Sequence, residues 1–198
     1  MGHESDECRC YRSIGRRAAL KMTLGVVVGL DLAQRATAQN VDASAIRPQP
    51  GDRLVFADGE RRGNVISAAD LQIGGLQVQA FPADPVGQLI RDGSRLNKIL
   101  LIRSDPQTLS EETRRRAVDG ITAYSAICTH QGCEVTAWDA EMKAMWCPCH
   151  DSKYDPREGG RVVGGPAPKR LAALPLKLVD GVLTVAAGFS GPVGFQTR

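Results

Sequence analysis

Cys128-Thr129-His130-Gln131-Gly132-Cys133 and Cys147-Pro148-Cys149-His150-Asp151-Ser152 are the two stretches whose reading decides this chain. The first offers a Cys and a His at C-x-H spacing, the second at C-x-x-H spacing, and each adds a further Cys, Cys133 or Cys149. Two thiolates and two imidazoles suit a [2Fe–2S] cluster in which two His replace two Cys on one iron. Short Cys/His pairs also build zinc sites. Zinc would use four of these six groups and gives no reason for Gly132, Ser152 and Tyr154 at their offsets. A purely structural disulfide leaves both histidines unexplained.

The double box resembles the Rieske iron–sulfur pattern C-x-H-x-G-C…C-P-C-H-x-S, continued here by Lys153-Tyr154-Asp155. The matching stretch runs from about residue 121 to 170, about a quarter of the chain. The resemblance implies one [2Fe–2S] cluster, with Cys128 and Cys147 on the buried iron and His130 and His150 on the outer one. It implies a disulfide from Cys133 to Cys149 that joins the two cluster loops. It also implies that Ser152 donates to a bridging sulfide and Tyr154 to the sulfur of Cys128. Gly164-Gly165-Pro166-Ala167-Pro168 resembles the G-P-A-P loop that covers the cluster in Rieske proteins of cytochrome bc complexes. Gly165, Pro166, Ala167 and Pro168 are therefore the expected cover, with Gln131 and Gly132 at the tip that meets a partner. One departure stands at that tip, since quinol-oxidising relatives usually carry Leu where this chain has Gln131.

Neutral imidazoles in place of thiolates remove negative charge from the ligand shell, so an added electron is accepted more readily and the potential rises. Hydrogen bonds to the sulfurs act in the same direction. An imidazole held by iron through one nitrogen keeps a second N–H, which implies a potential that falls with pH above neutrality.

The chain has 198 residues, enough for one domain and an extension, and its 42% hydrophobic and 24% charged residues are ordinary for a soluble domain. A net charge of +3 gives no argument for nucleic acid. Arg16-Arg17 precede the apolar run Met22 to Leu30, and Ala36-Thr37-Ala38 follows as an A-x-A site. Residues 1–38 thus resemble a twin-arginine export signal, cleaved or retained as an anchor. The 16 residues from Ala18 to Ala33 include Lys21 and Asp31, and a span needs about 20 apolar residues, which favours cleavage. Export to the periplasmic side of a bacterial inner membrane suits a disulfide beside a cluster. Cys8 and Cys10 lie in the leader and carry no assigned role.

Residues 39–53 read as a linker or lead-in strand, 54–187 as the Rieske domain and 188–198 as a tail. The expected class is all-β. Candidate strands are Leu54–Phe56, Leu76–Phe81, Ile99–Arg103, Thr122–Ser125, Val135–Trp138, Ala144–Trp146, Leu176–Val179 and Val182–Ala186. Asp180-Gly181 joins the last two as a two-residue hairpin. Ser110, Glu111 and Glu112 open one short helix and Gly120 is its expected stop. Arg114 to Arg116 read as its solvated face, with docking of an acidic partner as the alternative. The resemblance implies an antiparallel β base with a small cluster-binding subdomain inserted at about 127–168. Trp138 and Trp146 are expected in the core of that subdomain.

Only three His are present, His3, His130 and His150, so no mononuclear iron triad of an oxygenase remains once two serve a cluster. Electron transfer through a partner is the expected function. One partner class is the cytochrome b and c subunits of a quinol-oxidising complex, with quinol as donor. The other is the molybdenum subunit of an exported oxidoreductase such as arsenite oxidase. A stand-alone carrier or zinc module is the third reading.

Overall fold

A computed structural model of the chain describes residues 42–86 and 88–196. The expected export signal, with His3, Cys8 and Cys10, lies outside the described residues. The base begins with β1 (Arg53–Phe56), β2 (Val78–Ala83), β3 (Ile99–Arg103) and β4 (Ile121–Ser125). The chain then leaves this sheet and builds a second one from β5 (Ala137–Asp139), β6 (Ala144–Cys147), β7 (Ser152–Asp155) and β8 (Arg161–Gly164), paired in sequence order. It returns as β9 (Leu176–Val179) and β10 (Val182–Val185). The base strands stand in the order β4-β3-β2-β1-β10-β9, and every pairing in both sheets is antiparallel. The second sheet is therefore an insertion between the two edge strands of the base.

β3 explains how the two sheets meet. Its apolar run Ile99-Leu100-Leu101-Ile102 has no polar break, and successive strand side chains point to opposite faces. Ile99 and Leu101 enter one core with Leu54, Ile66, Ile121 and Leu183. Leu100 and Ile102 enter a second core with Tyr124, Met145, Tyr154 and Leu171. The second core also contains Cys128 and Cys147, so the candidate ligands grow directly out of it.

Local chemistry places the other elements. Asp180 and Gly181 both have positive φ, 52° and 78°, and turn β9 into β10 as the Asp-Gly pair implies. Pro82 lies within β2, where it pairs with Leu54; β3 pairs with β2 only at Val78 to Ala80, so no third strand requires the missing N–H. The helix, α1, covers only Glu111–Arg114, capped by Ser110, whose Oγ accepts the Thr113 N–H at 3.3 Å. Gly120 does not stop it. Instead Asp119-Gly120 forms a tight turn in which Val118 and Ile121 exchange both backbone hydrogen bonds, at 3.0 and 2.7 Å. Arg114 and Arg115 share Glu111, and Arg116 and Arg170 share Glu112, so each arginine of the run has a carboxylate beside it but the group keeps an excess of positive charge.

Three differences from the sequence reading have plain causes. β7 and β8 are strands that no expectation named, because the metal box and the proline loop dominate those residues. Val135 gives its N–H to Ala126 at 2.8 Å and closes the first cluster loop, which leaves β5 to start at Ala137. Trp138 and Met145 are register partners on the inner face and Trp138 packs against the second core, whereas Trp146 pairs with Ala137 and Lys153 on the outer face. Trp146 thus leaves the core and lies beneath the Lys153 ammonium, 5.6 Å from its ring.

From Asp42 onward the lead-in is tied to the base: Gly51 N–H donates to Val185 at 2.9 Å and Asn97 Nδ2 to the Ile46 carbonyl at 2.8 Å. After β10, Ser190 N–H donates to Ala173 at 2.8 Å and Val193 is buried against Ile127 and Ala172. Among the described residues no helix is long and apolar enough to cross a membrane.

Candidate metal centre

Three loops converge at one end of the inserted sheet. The first leaves β4 and is pinched at its base by the Ile127–Glu134 bridge. Inside it Cys128 N–H donates to Cys133 at 2.8 Å and Gly132 N–H to Cys128 at 3.1 Å, with Gly132 at φ 75°. The second loop joins β6 to β7, since Cys147 and Ser152 are register partners. Asp151 closes it at φ 60°, a left-handed conformation that Asp tolerates better than most residues. The third follows β8, where Gly165 (φ 75°) lies so close to Asp151 and Ser152 that a Cβ would stand 2.6 Å from the Ser152 Cα.

The sulfurs of Cys133 and Cys149 are bonded and join the first two loops. An imidazole nitrogen of His150 lies within 4.8 Å of both, but with their thiols consumed these two Cys offer a metal no thiolate. The free thiols among the described residues are Cys128 and Cys147, both buried. Burial pushes the Cys147 thiol up to about 11, against the backbone N–H groups of Cys149 and His150, which favour its ionised form, and beside the Cys128 thiol, which does not. A thiolate at this depth needs a cation beside it. The rings of His130 and His150 meet edge to face, centroids 4.6 Å apart, with His150 at the surface.

Tyr154 links the buried parts. Its hydroxyl lies 3.1 Å from the Cys128 sulfur and accepts the Thr129 N–H at 3.2 Å. Burial raises its pKa well above the ordinary phenol value, so it keeps its proton. The Thr129 hydroxyl gives its own proton to the Lys169 carbonyl at 2.6 Å, which fastens the first loop to the third. Against an ionised Cys128 the bond runs one way, from the Tyr154 O–H to sulfur. Ala167 is buried in the second core, Pro166 and Pro168 are exposed, and Gln131 and Pro148 face solvent at the loop ends. Sequence reasoning misses Thr129, Lys169 and Arg95, whose Nη2 donates to the Gly132 carbonyl at 2.6 Å. The Arg95 side chain and the Lys169 carbonyl reach the site from outside the motif, and Thr129 acts by an ordinary polar bond, for which no spacing rule exists.

A family model of the Rieske [2Fe–2S] domain matches residues 97–175. Over 162 residues the chain is 31% identical to the cytochrome bc1 complex Rieske iron-sulfur subunit of Streptomyces lividans, an alignment covering 74% of this chain and 93% of that one. The chain belongs to the Rieske family. It is also 36% identical over 149 residues to a putative respiratory nitrate reductase subunit Rieske of Haloferax mediterranei, with 74% of this chain and 63% of that one aligned. With the cytochrome bc1 complex Rieske iron-sulfur subunit of Streptomyces coelicolor it shares 29% identity over 197 residues, 91% of this chain and 53% of that one. The chain thus spans between half and two thirds of the length of these last two relatives.

A Rieske domain carries a [2Fe–2S] cluster. The residues present fit it. Two free buried thiols and two imidazoles supply the mixed donor set, and His130 Nδ1 and Ser152 Oγ are buried without a hydrogen-bond partner. Both orphans are polar atoms that a cluster between the loops would engage.

Proposed function

We propose that this Rieske protein is the high-potential electron-transfer subunit of a respiratory complex of the quinol:cytochrome c reductase type. The carrying observation is the Tyr154 hydroxyl 3.1 Å from the Cys128 sulfur. Cys128 and Cys147 would hold one iron and His130 and His150 the other, and the bound cluster would supply one-electron transfer. Tyr154 and Ser152 spread the negative charge of the reduced state over hydrogen bonds. The Cys133–Cys149 bond holds the two ligand loops at a fixed separation. Gly165, Pro166, Ala167 and Pro168 cover the site and limit water. His130 and His150 would each keep one nitrogen off the iron, which suits a donor that gives up a proton with its electron, such as quinol. Gln131 is the exposed tip that meets the partner, whereas Gly132, expected there too, is buried behind it. The domain is taken to run from 54 to 187 with its cluster-binding part at 127–168. Residues 1–38 direct export, so that the protein works on the periplasmic side of an inner membrane, free or anchored.

The polar tip residue Gln131 favours a second reading, in which the partner is the molybdenum subunit of an exported oxidoreductase. The name of the Haloferax relative, a respiratory nitrate reductase subunit, supports the same alternative. Purification from native membranes separates the two. Cytochromes b and c travelling with the chain support the first reading, and a large molybdenum subunit in their place overturns it.

A further inference from the structure

A short turn, Arg95–Asn97, precedes β3 and sends two cations onto the first cluster loop. Lys98 Nζ pairs with Glu134 at 3.1 Å and is neutralised there. Arg95 is different. Its Nη2 donates to the Gly132 carbonyl at 2.6 Å, and it pairs with no carboxylate among the described residues. Gly132 admits this approach, since a Cβ there would stand 3.2 Å from the same nitrogen. The turn is fixed from behind: the buried Asn97 donates to the Ile46 and Arg91 carbonyls at 2.8 and 3.1 Å, and the Lys98 carbonyl accepts the Ala126 N–H at 2.9 Å. The guanidinium therefore has a set place, on the residue next to Cys133 and two along from His130.

We propose that Arg95 is a positioning residue of the redox centre. It holds the first loop by the Gly132 carbonyl and places there an uncompensated positive charge that favours the reduced state. The inference rests on the reading that Cys128, His130, Cys147 and His150 hold the cluster. Uptake of one electron makes the site one negative charge richer, whatever charge it begins with. A fixed cation nearby lowers the energy of that product relative to the starting state. The charge sits at the exposed tip, so dissolved salt screens it.

The test uses the iron-loaded full chain, its reduction potential read by protein-film voltammetry and its cluster by EPR and visible circular dichroism. The variants are Arg95→Gln, Arg95→Lys and a remote control, Arg61→Gln, whose native side chain pairs with Asp70 on the base. Arg95→Gln is expected to lower the equilibrium constant for reduction about three- to tenfold, ~59 mV at the upper end for one electron. Arg95→Lys keeps most of the wild-type value, Arg61→Gln stays within about twofold, and all EPR spectra agree. The wild-type potential falls between about 0.01 and 1 M salt, and Arg95→Gln flattens that fall. The inference is overturned if Arg95→Gln moves the constant less than about twofold, or if Arg95→Lys moves it equally. A wild-type potential that ignores salt also overturns it, and that measurement needs no variant to take up iron. Absence of a mixed-ligand EPR signal from the wild type would sink the cluster reading itself, whereas a normal signal with an unmoved potential sinks only the role of Arg95.

Discussion

The Tyr154 hydroxyl has one proton to give, and of the two acceptors in reach, the Cys128 sulfur at 3.1 Å and the Thr129 Oγ1 at 3.3 Å, an ionised sulfur is the stronger. Tyr154→Phe should therefore lower the equilibrium constant for cluster reduction by about tenfold, ~59 mV, with the EPR line shape kept. Ser152→Ala should act in the same direction, because its buried Oγ has no other partner. Unchanged potentials in both would remove the case for a high-potential centre. The buried thiol makes a second prediction, for the metal-free chain. The Cys147 thiol is pushed from its ordinary 9.0 up to about 11 by burial, and Tyr154 is raised by the same cause. The folded state keeps these protons after the unfolded chain has begun to lose them. The Cys147 contribution is thus complete below pH about 9 and drains away as pH rises towards about 11, and that of Tyr154 begins to drain only above its ordinary 10.0. Thermal midpoints of the metal-free chain should fall across that window. The Cys147 share of the fall should vanish in the iron-loaded protein, where the sulfur is already ionised. At this scale the candidate site is legible wherever ligand chemistry sets a spacing, as in Cys128-x-His130. It is illegible where a residue acts by reach. Nothing around Arg95 in the sequence announces that its side chain ends on Gly132, because a turn far along the chain decides it.

Elements were readable in proportion to how little else their residues had to do. β3 shows as an apolar run and the β9–β10 hairpin as an Asp-Gly turn between apolar runs. β7 does not show, because Ser152 and Tyr154 look like site residues before they look like alternate members of a strand. α1 reads too long for a related reason: Gly120 is a genuine breaker, but it serves a turn with Asp119 several residues past the last helical bond. Two substitutions test how these elements are held. Gly165→Ala forces a Cβ against the Ser152 backbone at a positive φ and should cost about 2 kcal/mol or more in urea unfolding, with loss of cover over the site. Full wild-type stability would mean the third loop is not seated on the second. Asp52, at the entry to β1, is 1% exposed and holds Arg91 through two bonds of 2.7 and 3.0 Å. Asp52→Ala leaves that buried guanidinium without its hydrogen-bonded carboxylate, at a cost of about 3 kcal/mol, measurable in the same titration.

The whole molecule is braced at two places, the disulfide and the shared strand. Cys133 and Cys149 are 16 residues apart, and closing a loop of that size contributes about 3 kcal/mol. Reductant, or Cys133→Ser with Cys149→Ser, should lower the thermal midpoint by several degrees, and an unmoved midpoint would show that the second core alone holds the loops. The other brace is β3, whose odd residues serve the base and whose even residues serve the inserted sheet. A strand committed to both sides leaves no seam between them. Melting should then be a single event: the colour of the cluster and the circular dichroism of the sheets should disappear at one temperature, and Leu101→Ala, on the face turned away from the metal, should bleach the protein earlier. The cluster would then act as an optical thermometer for strands that it never touches.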